Sequence, residues 1–392
     1  MSQEKNRINR NRMSMKTMSA ILSVVCVLVC VAVMVWFARG EREKQRVSSR
    51  EFFAMNTYFS LRTYGANGEE ALLLCEEETK RLETYLSVTE EGSDVWRLNR
   101  EKSANVSEDT FRLVTEAVEA GRQTKGALDI TLYPVLLEWG FTTGEYQIPD
   151  EDRIKELLKN VDFRQIKAEE MPKKNTPKEN APAENIPSED MTAEGTEEEK
   201  TGYRITIPDQ AQIDLGSVAK GYTGDRMLEI LRGHGVTSAI LDLGGNVQAL
   251  GAKPDGSPWR VAVRDPFDRS QTIGVLNITD KCVITSGGYE RYFTGEDGKV
   301  YWHILDPADG YPADSGLVSV TVVWESGVRC DALSTALFVM GKELAEEFWR
   351  SQGDFEAILV GEDGEIYVTE GLEDCFECSE NLHITILKRK KS

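Results

Sequence analysis

The spacing of apolar residues changes several times along this 392-residue chain, and the changes divide it. Residues 1–18 are polar and basic, carrying Lys5, Arg7, Arg10, Arg12 and Lys16. Ser19 to Ala38 then runs without a charge. Such a run has the length a helix needs to cross ~30 Å of hydrocarbon. It exceeds the core of a secretory signal, and Trp36-Phe37-Ala38 offers no small-x-small cleavage site. A single uncleaved transmembrane anchor at 19–38 is therefore expected, with 39–50 as a linker. Arg39, Arg42, Lys44, Arg46 and Arg50 balance the basic residues before the span, so the positive-inside rule is silent. An N-terminal anchor ahead of a large body generally exports that body, which places the N-terminus in the cytoplasm and the body outside the cell membrane.

From residue 51 to 387 the pattern is that of one folded body. Phe52 to Arg62 reads as a first strand. Over 69–86, Ala71, Leu72, Cys75, Leu82 and Leu86 share a helical face opposite glutamates. Ser87 to Asn99 reads as a loop and short turn. Ser107, followed by Glu108 and Asp109, starts a helix that continues to Gly121. Pro149-Asp150 leads another helix to Leu158. Over 167–201 the periodicity disappears, and ten acids stand against five bases with no aromatic residue. Such a stretch buries too little to offset ordering entropy, so it reads as a disordered acidic insert rather than a domain boundary. Strands follow at 203–207, on both sides of Gly244-Gly245, and at 259–266, 272–277, 282–293, 300–307 and 317–324. A helix runs from Cys330 to 350. Strands at 355–360, 365–369 and 383–387 precede a basic tail, 388–392.

Composition narrows the partners. The formal net charge is −20, which argues against a nucleic-acid partner, because phosphate backbones need basic patches. Seven cysteines form no paired framework. Cys375 and Cys378 make a lone C-x-x-C, readable as a surface disulfide, a redox pair or nothing functional.

Four stretches carry candidate chemistry. Ile213 to Asp225 combines Asp214, Ser217 and Lys220 with glycines at a strand-to-helix turn, the helix expected from Ser217. That is either a capped helix with a solvated lysine or a place where backbone N–H groups and a positive charge hold phosphate. Asp129 and Thr131 sit in an otherwise apolar run, where a carboxylate must be paired, solvated or neutralised. His303, one of only three histidines, leads into Asp306-Pro307 and is a candidate base. Asp331, Ser334 and Thr335 share one helical face. They read as an N-cap with back-bonding hydroxyls, or as a hard-cation site for Mg2+.

Taken in order, these pieces resemble the ApbE family of flavin transferases over about residues 50–370. The resemblance rests on Met55 with Thr57, Ser93 and Asn99, Gly126-Ala127-Leu128-Asp129-Ile130-Thr131, Trp139-Gly140-Phe141, and Asp214 to Gly221. It continues through Gly244-Gly245-Asn246, Thr285-Ser286-Gly287, His303 to Pro307 with Gly310-Tyr311-Pro312, and Asp331 to Ala336. It implies an α+β, T-fold-like domain of mixed and antiparallel sheets with packed helices. It also implies FAD bound in a cleft, Mg2+ on its diphosphate, and transfer of FMN to a Ser/Thr hydroxyl of a target protein with release of AMP. Some members instead hydrolyse FAD to FMN and AMP, and a non-catalytic flavin binder is the further alternative. The resemblance puts flavin contacts on Met55, Ala127, Leu128, Asp129, Asp214 and Lys220. It puts metal contacts on Ser217, Asp331 and Thr335, with Ser334 adjacent. At Ser217 the family often has alanine and uses the backbone carbonyl. The family's Met-Gly-Thr is Met55-Asn56-Thr57 here. The implied acceptor is a flavin-carrying subunit of membrane electron transport.

Overall fold

The structure is a computed structural model that describes residues 22–24, 26–34, 45–172, 202–380 and 382–389. The expected N-terminal segment 1–18, part of the 19–38 span, most of the 167–201 insert and the last three residues of the tail lie outside them. Residues 22–24 and 26–34 are helical and exposed, and no described helix is long and apolar enough to cross a membrane.

The body begins with strands β1 (Val47–Ala54) and β2 (Thr57–Tyr64). Helices α1 (Gly68–Leu86) and α2 (Asp94–Glu101), strand β3 (Ser103–Val106), and helices α3 (Glu108–Gln123), α4 (Tyr133–Glu138) and α5 (Glu151–Leu158) follow. Next come β4 (Lys167–Met171), β5 (Gly202–Thr206) and α6 (Ala219–Gly233). The second half holds β6 (Ser238–Leu243), β7 (Asn246–Leu250), β8 (Trp259–Arg264), β9 (Thr272–Ile278), β10 (Cys282–Gly287), β11 (Tyr292–Thr294) and β12 (Val300–Trp302). It closes with β13 (Leu317–Trp324), α7 (Gly327–Gln352), β14 (Glu356–Gly361), β15 (Ile366–Thr369), β16 (Phe376–Cys378) and β17 (Ile384–Leu387).

Nine strands form the central sheet in the order β1-β2-β6-β7-β10-β13-β14-β15-β17. Every neighbouring pair is antiparallel except β15 with β17. One face of the sheet carries the helices: Ile284, Val320 and Val322 meet Leu333, Leu337 and Phe338 of α7. Leu61, Leu241 and Leu243 meet Leu72 of α1 and Met227, Leu228 and Leu231 of α6. The other face is covered by the three-stranded sheet β16-β9-β8, through Trp259, Val261, Leu276 and Phe376 against Val283, Ile358 and Val360. The result is three layers, with the α+β character expected. Phe338 and Trp349, both on α7, are almost wholly buried. Each buries ~150–250 Å² of side chain, so α7 is held chiefly by this packing.

Several local expectations are corrected. Phe52 to Arg62 is not one strand but the two arms of a hairpin, with Ala54 paired to Thr57. Its two-residue turn puts Met55 at φ 47° and Asn56 at φ 61°. Both central φ are positive, as in the turn that suits the twist of a hairpin, and Asn tolerates that region. Ser87 to Asn99 contains helix α2, capped by Ser93 Oγ, which accepts from Trp96 N at 2.9 Å. The insert begins as strand β4, paired with β5, so its first five residues belong to the body. Their exposed, charged side chains hide a strand made by pairing alone. His303 stands one residue beyond β12, rather than inside a strand. Helix α7 starts at Gly327, with Ser326 as N-cap, so Asp331 sits in its second turn and not at its cap.

Candidate active site

The site is assembled on the segment Ile213–Asp225. Asn99 of α2 clamps its start: Asn99 Nδ2 donates to Ile213 O at 2.9 Å, and Ile213 N donates to Asn99 Oδ1 at 2.7 Å. On the other side Asp214 N donates to Ile130 O at 2.9 Å, tying in the Gly126–Thr131 loop. Asp129 holds that loop. Its Oδ1 accepts from Thr131 N at 2.8 Å and Thr131 Oγ1 at 2.6 Å, and its Oδ2 accepts from Phe163 N at 3.0 Å. Burial still raises the Asp129 carboxyl above its usual range, against those donors. The structure thus gives both Asp129 oxygens internal work, and Leu128 points its side chain into the core beside Ala127. A flavin contact from Ala127 or Leu128 would come through the backbone.

Beyond Asp214 the chain turns sharply. Gly216 N donates to Asp214 Oδ1 at 2.8 Å, and Ser217 lies in the turn rather than in a helix. Helix α6 begins only at Ala219, and Val218 at its N-cap offers no side-chain bond. Its early N–H groups therefore need partners from elsewhere. They find Asp331 of α7: Gly221 N donates to Asp331 Oδ2 at 2.8 Å, and the Lys220 backbone N–H adds to it. The phosphate-holding amides expected at this turn are in part already satisfied by a carboxylate. Gly221 makes the helix crossing possible, since a Cβ there would come within 2.2 Å of Gly327 O.

Around Asp331 lies a cluster of hydroxyls. Ser286 Oγ, at the end of β10, is 2.8 Å from Ser334 Oγ and 3.2 Å from Thr335 Oγ1. Ser334 is fully buried and donates back to Asp331 O at 2.9 Å, while Thr335 is partly exposed. Thr335 is therefore the hydroxyl better placed to meet a ligand. No group of three or more His, Cys, Asp or Glu residues that could hold a metal occurs among the described residues. The oxygens present fit a different kind of site, in which Mg2+ takes one carboxylate plus hydroxyl, carbonyl and substrate phosphate oxygens. Asp331 supports that fit. Burial raises its carboxyl, and Lys220 and the Gly221 and Lys220 N–H groups oppose that. Two of its roughly four lone-pair sites face amides, leaving room for a cation.

Positive charge comes from Lys220 and from Arg291, which sequence reasoning did not single out. Burial raises Asp214, and the Gly216 N–H, Arg291 and Lys220 oppose it in that order. Tyr133 of α4 is raised by burial and by Asp214, so α4 also borders the site. His303 is fixed by Arg291. Its backbone N and its Nδ1 both lie 3.1 Å from Arg291 O. A carbonyl can only accept, so Nδ1 carries the proton and Nε2 keeps a lone pair. Burial, then the charges of Arg291 and Lys220, lowers His303 to about 4. The ring is neutral at pH 7.

Met55 joins the site from the hairpin. Its N donates to Glu83 Oε1 at 2.6 Å, and its Sδ accepts from Thr223 Oγ1 of α6 at 3.6 Å. The structure therefore gathers Met55, Ala127–Asp129, Asp214, Ser217, Lys220, His303, Asp331, Ser334 and Thr335 around the N-terminal ends of α6 and α7. It adds Ser286 and Arg291. The electrostatic reach of Arg291 to two site residues, one of them the only histidine here, is a three-dimensional signal with no counterpart in its local sequence.

An α+β body that brings two carboxylates, Asp214 and Asp331, together with a fringe of hydroxyls, a lysine, an arginine and a neutral histidine is built for an anionic, oxygen-rich ligand. The family model of the ApbE family matches residues 55–359, and the chain belongs to that family. It is 29% identical over 371 residues to the FAD:protein FMN transferase of Treponema pallidum, covering 89% of this chain and 93% of that protein. To that of Klebsiella pneumoniae it is 32% identical over 294 residues, covering 74% and 82%. The crystal structure of the ApbE protein from Thermotoga maritima superposes with a TM-score of 0.71 at 29% identity, covering 84% of this chain and 99% of that one. The flavinyl transferase ApbE of Pseudomonas stutzeri, in its apo form, gives 0.69 at 26%, covering 85% and 98%.

Proposed function

We propose that this protein transfers FMN from FAD to a Ser or Thr hydroxyl of a target protein, releases AMP, and depends on Mg2+. The observation that carries the reading is the neutral His303, its Nδ1 committed to Arg291 O, within electrostatic reach of Lys220, which also faces Asp331. The acceptor hydroxyl oxygen bonds to the FMN-side phosphorus, the bond from that phosphorus to the AMP phosphate breaks, and His303 Nε2 takes the hydroxyl proton. Lys220 and Arg291 balance the diphosphate's charge, and Asp214 orients the dinucleotide. Asp331 and Thr335, with Ser334 and the backbone carbonyl of Ser217, would hold Mg2+. Bound there, the ion neutralises charge on the phosphoryl oxygens and the leaving group. Met55 and the Ala127–Asp129 backbone border the flavin.

The test mixes the protein with FAD, Mg2+ and a flavin-accepting electron-transport subunit and reads covalent fluorescence on a denaturing gel. Labelled acceptor is expected; FMN and AMP without labelled protein would make the enzyme a hydrolase. Asp331→Ala should abolish Mg2+-dependent turnover while the protein stays folded, and normal turnover would show the metal to be misplaced. The uncharged run 19–38 supports anchoring in the cell membrane with the body outside. Protease added to intact cells should then digest the body; full protection would overturn that orientation.

A further inference from the structure

Beside the site stand two buried polar atoms without a hydrogen-bond partner among the described residues, Asn246 Nδ2 and Gln248 Oε1. Asn246, the first residue of β7, is 2% exposed, and its Nδ2 has no hydrogen-bond partner among the described residues. A buried donor without an acceptor suffers its full desolvation cost. The face on which it lies is set by the strand's alternation. Gln248, two residues on, shares that face and donates through Nε2 to Gly221 O of α6 at 2.9 Å. Across the ladder Asn246 opposes Ile284 and Gln248 opposes Cys282. The next residue of β10 on the same face is Ser286, which bonds the hydroxyls of Ser334 and Thr335. Asn246 is thus the diagonal neighbour of the hydroxyl cluster, on the floor beneath α6 and α7.

The direction of its amide is also fixed. Asn246 Oδ1 accepts from Gln248 Nε2 at 3.4 Å. Turning the amide over would set two N–H donors against each other. The oxygen therefore faces Gln248, and the NH2 faces away from it, toward the Gly244-Gly245 turn and the end of the sheet where Ser286 stands. Thr57 closes the Gly244 side of that turn, its Oγ1 2.1 Å from where a Cβ would be, and space remains only beside Gly245, where nothing lies within 4 Å of such a Cβ.

We infer that Asn246 is a substrate-binding residue whose side-chain N–H donates to a diphosphate oxygen of FAD. The assignment rests on the flavin-transferase reading. A neutral donor suits this position, because Lys220 and Arg291 already supply charge and a further cation would repel the metal.

Affinities of the full-length protein for FAD, ADP and riboflavin test it. Asn246→Ala should weaken FAD and ADP about tenfold or more, as loss of a hydrogen bond to a charged group does, and leave riboflavin unchanged. Asn246→Asp keeps the shape, replaces the donor with an anion and should weaken FAD and ADP further. The unliganded melting midpoint should not fall in Asn246→Ala. Undiminished FAD binding in Asn246→Ala overturns the assignment alone. So does an equal loss for riboflavin, or a midpoint that falls in both variants, since either marks a structural role. A wild-type protein that binds no FAD overturns the transferase reading with it.

Discussion

Gly221→Ala is the sharpest test of how the two helices make the site. Its Cβ would lie 2.2 Å from Gly327 O, 2.5 Å from Gly327 C and 2.8 Å from Asp331 Cβ. Ordinary contact needs 3.4 Å or more, so α6 and α7 would have to part by roughly 1 Å. No side chain can swing aside. The obstruction is backbone, and Asp225 pins it through Gly327 N at 2.7 Å and Val328 N at 3.0 Å. Overpacking costs ~1–3 kcal/mol, and an immovable neighbour puts this case at the upper end. Alanine's better helix propensity returns ~1 kcal/mol, leaving a net loss of ~2 kcal/mol. The functional loss should be larger, because the displaced group is Asp331, which accepts from Gly221 N itself. A displacement of about 1 Å can cost ~10²-fold in rate. Denaturation midpoints and FMN-transfer turnover measure the two effects. Gly233→Ala, in the same helix with nothing within 4 Å of its Cβ, is the control and should be neutral or stabilising by up to ~1 kcal/mol. If Gly221→Ala matches that control in both midpoint and turnover, the close crossing does not set the site.

His303→Ala should lose ~10²–10⁴-fold in turnover with FAD binding retained. Because burial, with Arg291 and Lys220, lowers His303 to about 4, Nε2 stays unprotonated from neutral pH down to near that value, and wild-type turnover should show no loss centred near 6.5; a fall centred there would contradict the burial argument. Asp225 is raised to about 6, chiefly by burial, so the folded state holds its proton more tightly than the unfolded state. The stability it contributes is complete below its ordinary range near 3.8 and is lost as pH rises through about 6. Asp225→Asn should remove up to ~3 kcal/mol of that pH dependence, read from urea midpoints at acid and neutral pH. Asn56→Gly should leave stability within a few tenths of a kcal/mol and FAD affinity unchanged, because φ 61° suits glycine at least as well; weaker FAD binding would show that the asparagine side chain itself matters.

Much of the site was legible because glycines and oxygen-bearing side chains fall in short ordered motifs. The Asp331–Ser334–Thr335 face and the turn after Asp214 could be placed from helical spacing and a strand-to-helix change. Other features were hidden for identifiable reasons. The Met55-Asn56 turn is hidden because strand-forming residues continue on both sides of it and no glycine or proline marks it. Strand β4 carries an exposed and charged sequence, and only its partner β5 makes it a strand. Asp129, a carboxylate among apolar residues, had to be paired, solvated or neutralised, and its sequence did not say which. It is satisfied, by Thr131 and by Phe163 N, which lies 34 residues away.

The same accounting of satisfied groups separates the helper residues from those left for substrate. Asn99, Asp129 and Asp225 stand in or near the matching motifs, yet their side-chain hydrogen bonds among the described residues end on backbone or on Thr131. They hold the walls. Asp331 stands between the two classes: it secures the start of α6 and still has lone pairs to spare. His303 has one nitrogen committed to Arg291 and one open, and Asn246 has its oxygen committed to Gln248 and its nitrogen open. Each group thus keeps its orientation without a ligand. Such preorganisation is what transition-state stabilisation requires, since dipoles already aimed cost nothing to turn. It also explains why the motifs are short and scattered: each supplies one half-committed group, and only the sheet end beside the starts of α6 and α7 brings the open halves together.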